Sequence, residues 1–178
     1  MGRDILAVDV GTSGLKLGVY APDLELRTSV SREYAPDFRD GGKADVRPET
    51  WWAAIASACA EVDTGLAEVG VVSLSVTTPG LTPMAADGQA LGPAILFLDG
   101  RSHEQAAAIR SSVGEERFLA EACNLPVSGG SSLASILWIR DHQPDVWAQA
   151  AMFGHTNTYV ARRMTGAWAV DPSTTSIT

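Results

Sequence analysis

Asp9 and Lys16 bracket a turn of small residues, Gly11-Thr12-Ser13-Gly14, and this set can do phosphate chemistry. Gly11 and Gly14 would let backbone amides approach a bound group that a Cβ would hold away. Thr12 and Ser13 add hydroxyl donors. Lys16 adds a cation. Asp9 adds a carboxylate of the kind that holds a hydrated divalent metal. Together they suit a polyphosphate with its magnesium. Gly and Ser also punctuate ordinary hairpins, so the turn alone does not decide between a site and a simple reversal. The stretch is not a Walker loop, because the segment after the turn alternates like a strand instead of opening a helix.

The flanking segments must position this turn. Ile5 to Val8 is an apolar run that ends at Asp9. From Leu15 to Tyr20, Leu15, Leu17 and Val19 fall on one face and Lys16 on the other. The pattern predicts a β-hairpin. Glu25 to Tyr34 predicts a third strand, with Thr28, Val30 and Tyr34 on one face, so the start of the chain reads as an antiparallel meander. Asp37 to Lys43 reads as a loop. A helix is expected from Pro48, with Glu49 in its first turn and Trp52, Ile55, Cys59, Val62 and Leu66 as its buried stripe. Of Trp51 and Trp52, one is expected in the core and the other at its rim. Gly70 to Val76 reads as a buried strand, so the order of elements predicts an α/β sheet with mixed pairing.

In open sheets of this kind ligands sit beyond strand ends. Thr77 and Thr78 follow such an end, where two hydroxyls would bind a polyol or merely cap the strand. Leu81 to Ala85 and Pro93 to Leu98 predict a second hairpin around Asp87-Gly88, which delivers Asp99 and Arg101 to an edge. That acid and arginine would grip substrate hydroxyls or form a structural ion pair with the following helix; the sequence weighs the two equally. Ser102 with Gln105 has the pattern of a capping box. The rest reads as helical: Ser102 to Val113, Glu115 to Ala122, Ser131 to Asp141 with Leu133, Ile136 and Leu137 inward, a turn after Pro144, and Asn157 to Thr165 before Gly166. Ala151 to Phe153 is expected as a short strand between helices.

Composition narrows the partners. The net charge of −8 argues against nucleic acid, whose phosphates such a surface repels. No apolar run approaches the length of a membrane span, and the chain enters its first strand with no leader, so a cytoplasmic location is expected. Cys59 and Cys123 form no metal or redox motif and are expected as buried thiols. His103, His142 and His155 are scattered and are expected at the surface or as caps.

The chain resembles the N-terminal part of FGGY-family carbohydrate kinases, the group of xylulokinase, gluconokinase and glycerol kinase. The residues that carry the likeness are Ala-Val-Asp9-Val-Gly-Thr-Ser-Gly-Leu-Lys16, Pro48-Glu-Thr-Trp-Trp52, Asp87-Gly with Pro93-Ala-Ile-Leu-Phe-Leu-Asp99-Gly-Arg101, Leu137-Trp138-Ile-Arg, and Met164-Thr-Gly166 leading to Asp171. The resemblance implies a ribonuclease-H-like domain of the actin and hexokinase type, a mixed sheet flanked by helices, whose first hairpin approaches ATP. It implies that Asp9 positions magnesium and the reacting groups, that Gly11, Thr12 and Ser13 approach the phosphates, and that Lys16 lies near the transferred phosphoryl. Thr77, Thr78, Asp99 and Arg101 are then the candidates for contact with a sugar or polyol. A homodimer is common among the relatives.

Three departures stand out. Thr78-Pro79 replaces the Met-His with which xylulokinases contact sugar, Phe97 stands where relatives usually have Trp, and Ser135 lies near a helix position that is often Lys. Relatives are also much longer. They carry a second ribonuclease-H-like domain, and their catalytic aspartate lies downstream in a glycine-rich segment. Residues 1–178 are therefore expected to be a truncated first domain with the general base elsewhere. Asp171, ahead of Pro172, is expected in a turn and not as that base. The competing expectations are a non-catalytic nucleotide- or sugar-binding module of the same fold, and an actin- or chaperone-like ATPase, against which Asp99-Gly-Arg101 and Trp51-Trp52 argue.

Overall fold

The computed structural model describes residues 3–175, and of residues 63–65 only the backbone course. In chain order the strands are β1 (Asp4–Val10), β2 (Gly14–Tyr20), β3 (Leu26–Glu33), β4 (Asp37–Arg39), β5 (Lys43–Val46), β6 (Val69–Val76), β7 (Gly80–Met84), β8 (Ala94–Leu96) and β9 (Met152–Gly154). The helices are α1 (Pro48–Glu61), α2 (His103–Val113), α3 (Glu115–Ala122), α4 (Ser132–His142), α5 (Pro144–Gln149), α6 (Thr156–Thr165) and α7 (Pro172–Thr175). The chain forms two compact units, one of Met1–Pro36 with Glu49–Thr77 and the other of Asp37–Pro48 with Thr78–Thr178.

In the first unit the sheet order is β3-β2-β1-β6. The meander pairs antiparallel, and β6 joins β1 in parallel. This mixed sheet, with α1 as the crossover between β3 and β6, is the ribonuclease-H-like arrangement. Strand alternation decides the faces. Asp4, Leu6, Val8 and Val10 of β1 and Leu15, Leu17 and Val19 of β2 are buried, which leaves Asp9 and Lys16 exposed. On α1 the buried stripe is Trp51, Ile55, Ala58 and Val62. Ile55 and Val62 are buried as expected, while Trp51 and Ala58 take the inward places expected for Trp52 and Cys59, both of which are only half-buried. Leu66 lies beyond the end of the helix. Arg32 ties β3 to α1, donating to the Ser57 carbonyl at 3.3 Å and pairing with Glu61. The strand expected to be buried at Gly70 to Val76 is instead an edge. Among the described residues β6 pairs with β1 alone, and Val71 and Val72 are 57% and 48% exposed.

The second unit holds an antiparallel sheet of order β4-β5-β8-β7-β9. The segment expected as a loop at Asp37 to Lys43 is largely a hairpin, in which β4 pairs with β5 and β5 with β8. Gly88, at φ +92°, makes the Asp-Gly turn between β7 and β8. Leu81 and Ile95 of this sheet pack with Ile139 of α4, and Ala106, Ile109 and Ala134 form a second apolar cluster between α2 and α4. Of the face expected on α4, Ile136 and Leu137 pack at the margins of these clusters, but Leu133 is exposed. The expected capping box at Ser102 does not form. The Ser102 hydroxyl faces those of Ser128 and Ser135, and Gln105 donates to Asp141. Cys123 is exposed and Cys59 half-buried, so neither is the core thiol expected. His155 is buried and N-caps α6, its amide donating to the Thr158 hydroxyl at 3.2 Å.

Candidate functional site

In the first unit the β1–β2 register sets Asp9 directly opposite Lys16. Residues opposed in this way hold their Cβ atoms about 5 Å apart. Both side chains are exposed at the wall of an open cleft of about 770 Å³, which is also lined by Gly11, Ser13, Gly14 and Tyr34. The hairpin that alternation predicts is thus the device that puts an acid and a base side by side. The turn between them is tight: the Gly11 amide donates to the Gly14 carbonyl at 2.8 Å. The Thr12 and Thr77 hydroxyls lie 3.1 Å apart, which joins the turn to the end of β6. Thr77 also donates its amide to the Val10 carbonyl at 2.7 Å.

Both glycines have steric reasons within the first unit as well. A Cβ on Gly14 would meet the Arg32 carbonyl oxygen at 2.7 Å, so β3 demands that glycine. A Cβ on Gly11 would meet the Gly14 carbonyl oxygen at 3.0 Å, so closure of the turn itself favours the smaller residue.

Tyr34 is a residue of this site that sequence reasoning missed. Its hydroxyl donates towards the Gly11 carbonyl at 2.8 Å and the Gly14 carbonyl at 3.2 Å, and its amide donates to the Ser13 carbonyl at 3.2 Å. Burial first, then the charge of Asp9, push its pKa up to about 12, so the phenol stays a proton donor. The available signal is an aromatic with a polar tip at the end of a strand paired to the turn-bearing hairpin.

The second unit brings Asp99 and Arg101 together, but not as open groups. Asp99 is fully buried and the Arg101 side chain is 8% exposed. The Arg101 guanidinium donates to Asp99 at 2.7 and 2.9 Å and to Asp45 at 2.8 Å. Asp99 also accepts the amides of Ala44 at 2.6 Å and Arg101 at 2.8 Å, and Asp45 pairs with Arg39. Burial alone would lower the Arg101 pKa, but the hydrogen bonds and charges of Asp99 and Asp45 outweigh it and raise it. The pair locks strand ends, and its partner is Asp45 of β5 in place of the expected following helix. Thr78 is exposed just ahead of β7, and Phe97, 41% exposed, follows β8. The Gly80–Leu96 pairing sets those two at one edge.

Asp171 caps α7. It accepts the Thr174 amide at 2.8 Å, the Thr174 hydroxyl at 2.7 Å and an Asn157 side-chain N–H at 2.6 Å. The two Thr174 bonds lead in holding its carboxyl below the usual range. Among the described residues no group of three or more His, Cys, Asp or Glu could hold a metal ion.

Residues 5–178 match the N-terminal domain of the FGGY family of carbohydrate kinases. The chain is 27% identical over 174 residues to a glycerol kinase of Bradyrhizobium diazoefficiens, covering 91% of this chain and 34% of that protein. It is 29% identical over 167 residues to a xylulose kinase of Lactococcus lactis, covering 91% of this chain and 33% of that protein. It therefore spans about a third of the length of the curated relatives it matches. Its fold matches that of the xylulose kinase from Rhodospirillum rubrum with a TM-score of 0.90 at 24% identity, over 98% of this chain and 36% of the other.

Proposed function

The chain belongs to the FGGY family of carbohydrate kinases, and on that premise we propose that the full-length protein phosphorylates a hydroxyl of a sugar or polyol with ATP and magnesium, a ketopentose such as xylulose being the leading acceptor. The observation that carries the reading is the opposition of Asp9 and Lys16 across the mouth of the Gly11–Gly14 turn.

The residues present suit a magnesium polyphosphate. An exposed carboxylate, an exposed ammonium and two hydroxyls converge on a turn held open to a cleft. When bound, ATP supplies the phosphoryl group and magnesium the neutralising charge. Lys16 contributes a compact positive charge on the same face. Asp9 would hold the hydrated metal. Thr12 is held by Thr77 and Ser13 is exposed, so one hydroxyl is positioned and the other adaptable. Phosphoryl transfer asks mainly for this alignment and charge balance. Asp171 is assigned no proton transfer, because Thr174 and Asn157 engage its oxygens.

For the acceptor, Asp99 and Arg101 spend their hydrogen bonds on each other and on Asp45. The exposed Thr78 hydroxyl and the Phe97 ring are the better candidates for a sugar face. Thr78 donates or accepts from a hydroxyl, and an aromatic ring covers apolar C–H surface.

The test is magnesium-dependent ADP release by the full-length protein against a panel of ketoses, polyols and aldonates. Asp9→Asn is expected to lose about 10²- to 10³-fold in kcat, with a much smaller change in sugar affinity. An unchanged kcat removes Asp9 from the mechanism. Nucleotide or sugar binding without turnover on any acceptor would replace the kinase by a binding module of the same fold.

A further inference from the structure

Tyr34 has no part in the roles given above, yet both its hydroxyl and its amide are bonded to the turn. It follows β3, which pairs with β2, and reaches back across the hairpin. The phenol serves the carbonyls of Gly11 and Gly14, the Tyr34 amide serves that of Ser13, and the Gly11 amide closes on Gly14.

The direction of a carbonyl fixes the direction of the next amide. In a planar trans peptide, C=O and the following N–H point to opposite sides. With the Gly11 carbonyl turned to the Tyr34 hydroxyl, the Thr12 N–H must point away from it. With the Ser13 carbonyl turned to the Tyr34 amide, the Gly14 N–H must likewise point away. We propose that Tyr34 is a positioning residue for nucleotide binding, whose hydroxyl sets the direction in which the turn presents its Thr12 amide to a polyphosphate, while its own backbone amide does the same for the Gly14 amide. The proposal rests on the kinase reading above and extends it to a residue outside the Asp9–Lys16 hairpin.

The chemistry fits a fixed donor. A hydroxyl carries one proton, so it serves one carbonyl at a time, and Gly11 at 2.8 Å is the nearer. A phenol that stays protonated keeps that bond at every physiological pH. Phenylalanine would retain the ring while leaving the Gly11 oxygen without this donor.

The experiment compares Tyr34→Phe with wild type in the full-length protein. Calorimetry measures Mg-ATP affinity without sugar, steady-state kinetics measures KM for ATP and for sugar, and hydrogen exchange follows the segment of residues 9–15. Loss of one directing hydrogen bond is expected to weaken Mg-ATP binding about five- to tenfold. KM for ATP should rise by a similar factor, exceeding any change in kcat or sugar KM, and exchange in residues 9–15 should quicken relative to the rest of the chain. A merely structural tyrosine would lower the thermal midpoint while leaving Mg-ATP affinity and residues 9–15 unaltered at a temperature where both proteins are folded. That result overturns the proposal and leaves the kinase reading intact. Failure of the wild-type protein to bind Mg-ATP overturns both.

Discussion

Arg101→Met tests whether the Asp45–Arg101–Asp99 trio holds the second unit together or serves a ligand. Methionine keeps much of the stem and removes the guanidinium. The change strips Asp99 of its side-chain partner and Asp45 of its buried one. Breaking a buried ion pair from one side costs about 3–5 kcal/mol, because a charge is left in the interior without compensation. Here the remaining partners hold the cost near the lower end. Asp99 keeps the amides of Ala44 and Arg101, and Asp45 keeps Arg39, whose side chain is 53% exposed and so screened by solvent. The expected loss is therefore about 3 kcal/mol. In a domain of this size that lowers the thermal midpoint by roughly 6–12 °C.

The assay is denaturant unfolding and scanning calorimetry, with Asp99→Asn and the double variant alongside. Asparagine removes the orphaned charge, so Asp99→Asn/Arg101→Met should recover part of the loss, a coupling that the double-mutant cycle reports directly. A loss below about 1 kcal/mol, the range of a surface pair, would refute the buried-lock argument. So would a double variant no more stable than Arg101→Met. A variant with wild-type stability and a large rise in sugar KM would return Arg101 to the substrate.

Two further predictions concern the same unit. A Cβ on Gly129, at φ +69°, would collide with the Phe97 carbonyl oxygen and meet that of Asp99 at 2.7 Å. Gly129→Ala should therefore cost clearly more than Gly41→Ala, which has a left-handed φ of +80° but open space and an expected cost of about 1–2 kcal/mol; equal unfolding midpoints would remove the packing argument. The buried His155 has its pKa lowered to about 4 by burial, against the opposing charge of Asp171. The folded state thus binds its proton less readily than the unfolded chain. The stability this contributes is full above the unfolded pKa of about 6.5 and is lost as pH falls towards 4, by about 3 kcal/mol at most. His155→Gln should flatten that window in unfolding titrations, and an unaltered slope would refute it.

The first hairpin is legible in the sequence because its signal is local. An apolar run marks the first strand, alternation the second, and small residues the turn, so the hairpin that carries Asp9 and Lys16 needs no knowledge of the rest of the chain. The next helix shows the limit of the same method. A Trp-Trp pair leaves open which ring faces inward, because either one fits a helical spacing with the buried Ile55. One turn on, the same choice falls on Ala58, fully buried, over the half-buried Cys59. Gly14 is singled out by the sequence, but one reason for it lies outside the turn: its neighbour is the Arg32 carbonyl of β3, which no reading of the turn in isolation contains. The β4–β5 hairpin escapes for a related cause. Its strands are short, and β5 is completed by β8, whose Ile95 pairs with Asp45.

The same distinction separates the two halves of the proposed chemistry. The proposed phosphate recognition uses contiguous residues, and a local pattern suffices to suggest it. Tyr34 escapes that reading because its role lies in the direction of a carbonyl, and side-chain types do not encode carbonyl directions. Acceptor recognition is worse placed still. Asp99 and Arg101 look like ligand-gripping groups until Asp45, distant in sequence, occupies them. Thr78 and Phe97 look ordinary until the Gly80–Leu96 pairing sets them at one edge. Because the exposed pair at that edge is a hydroxyl and a phenyl ring, substitution there should alter which sugar is accepted while leaving Mg-ATP affinity alone. The Asp9–Lys16 hairpin should show the reverse, since its charges answer to phosphate and metal whatever the acceptor.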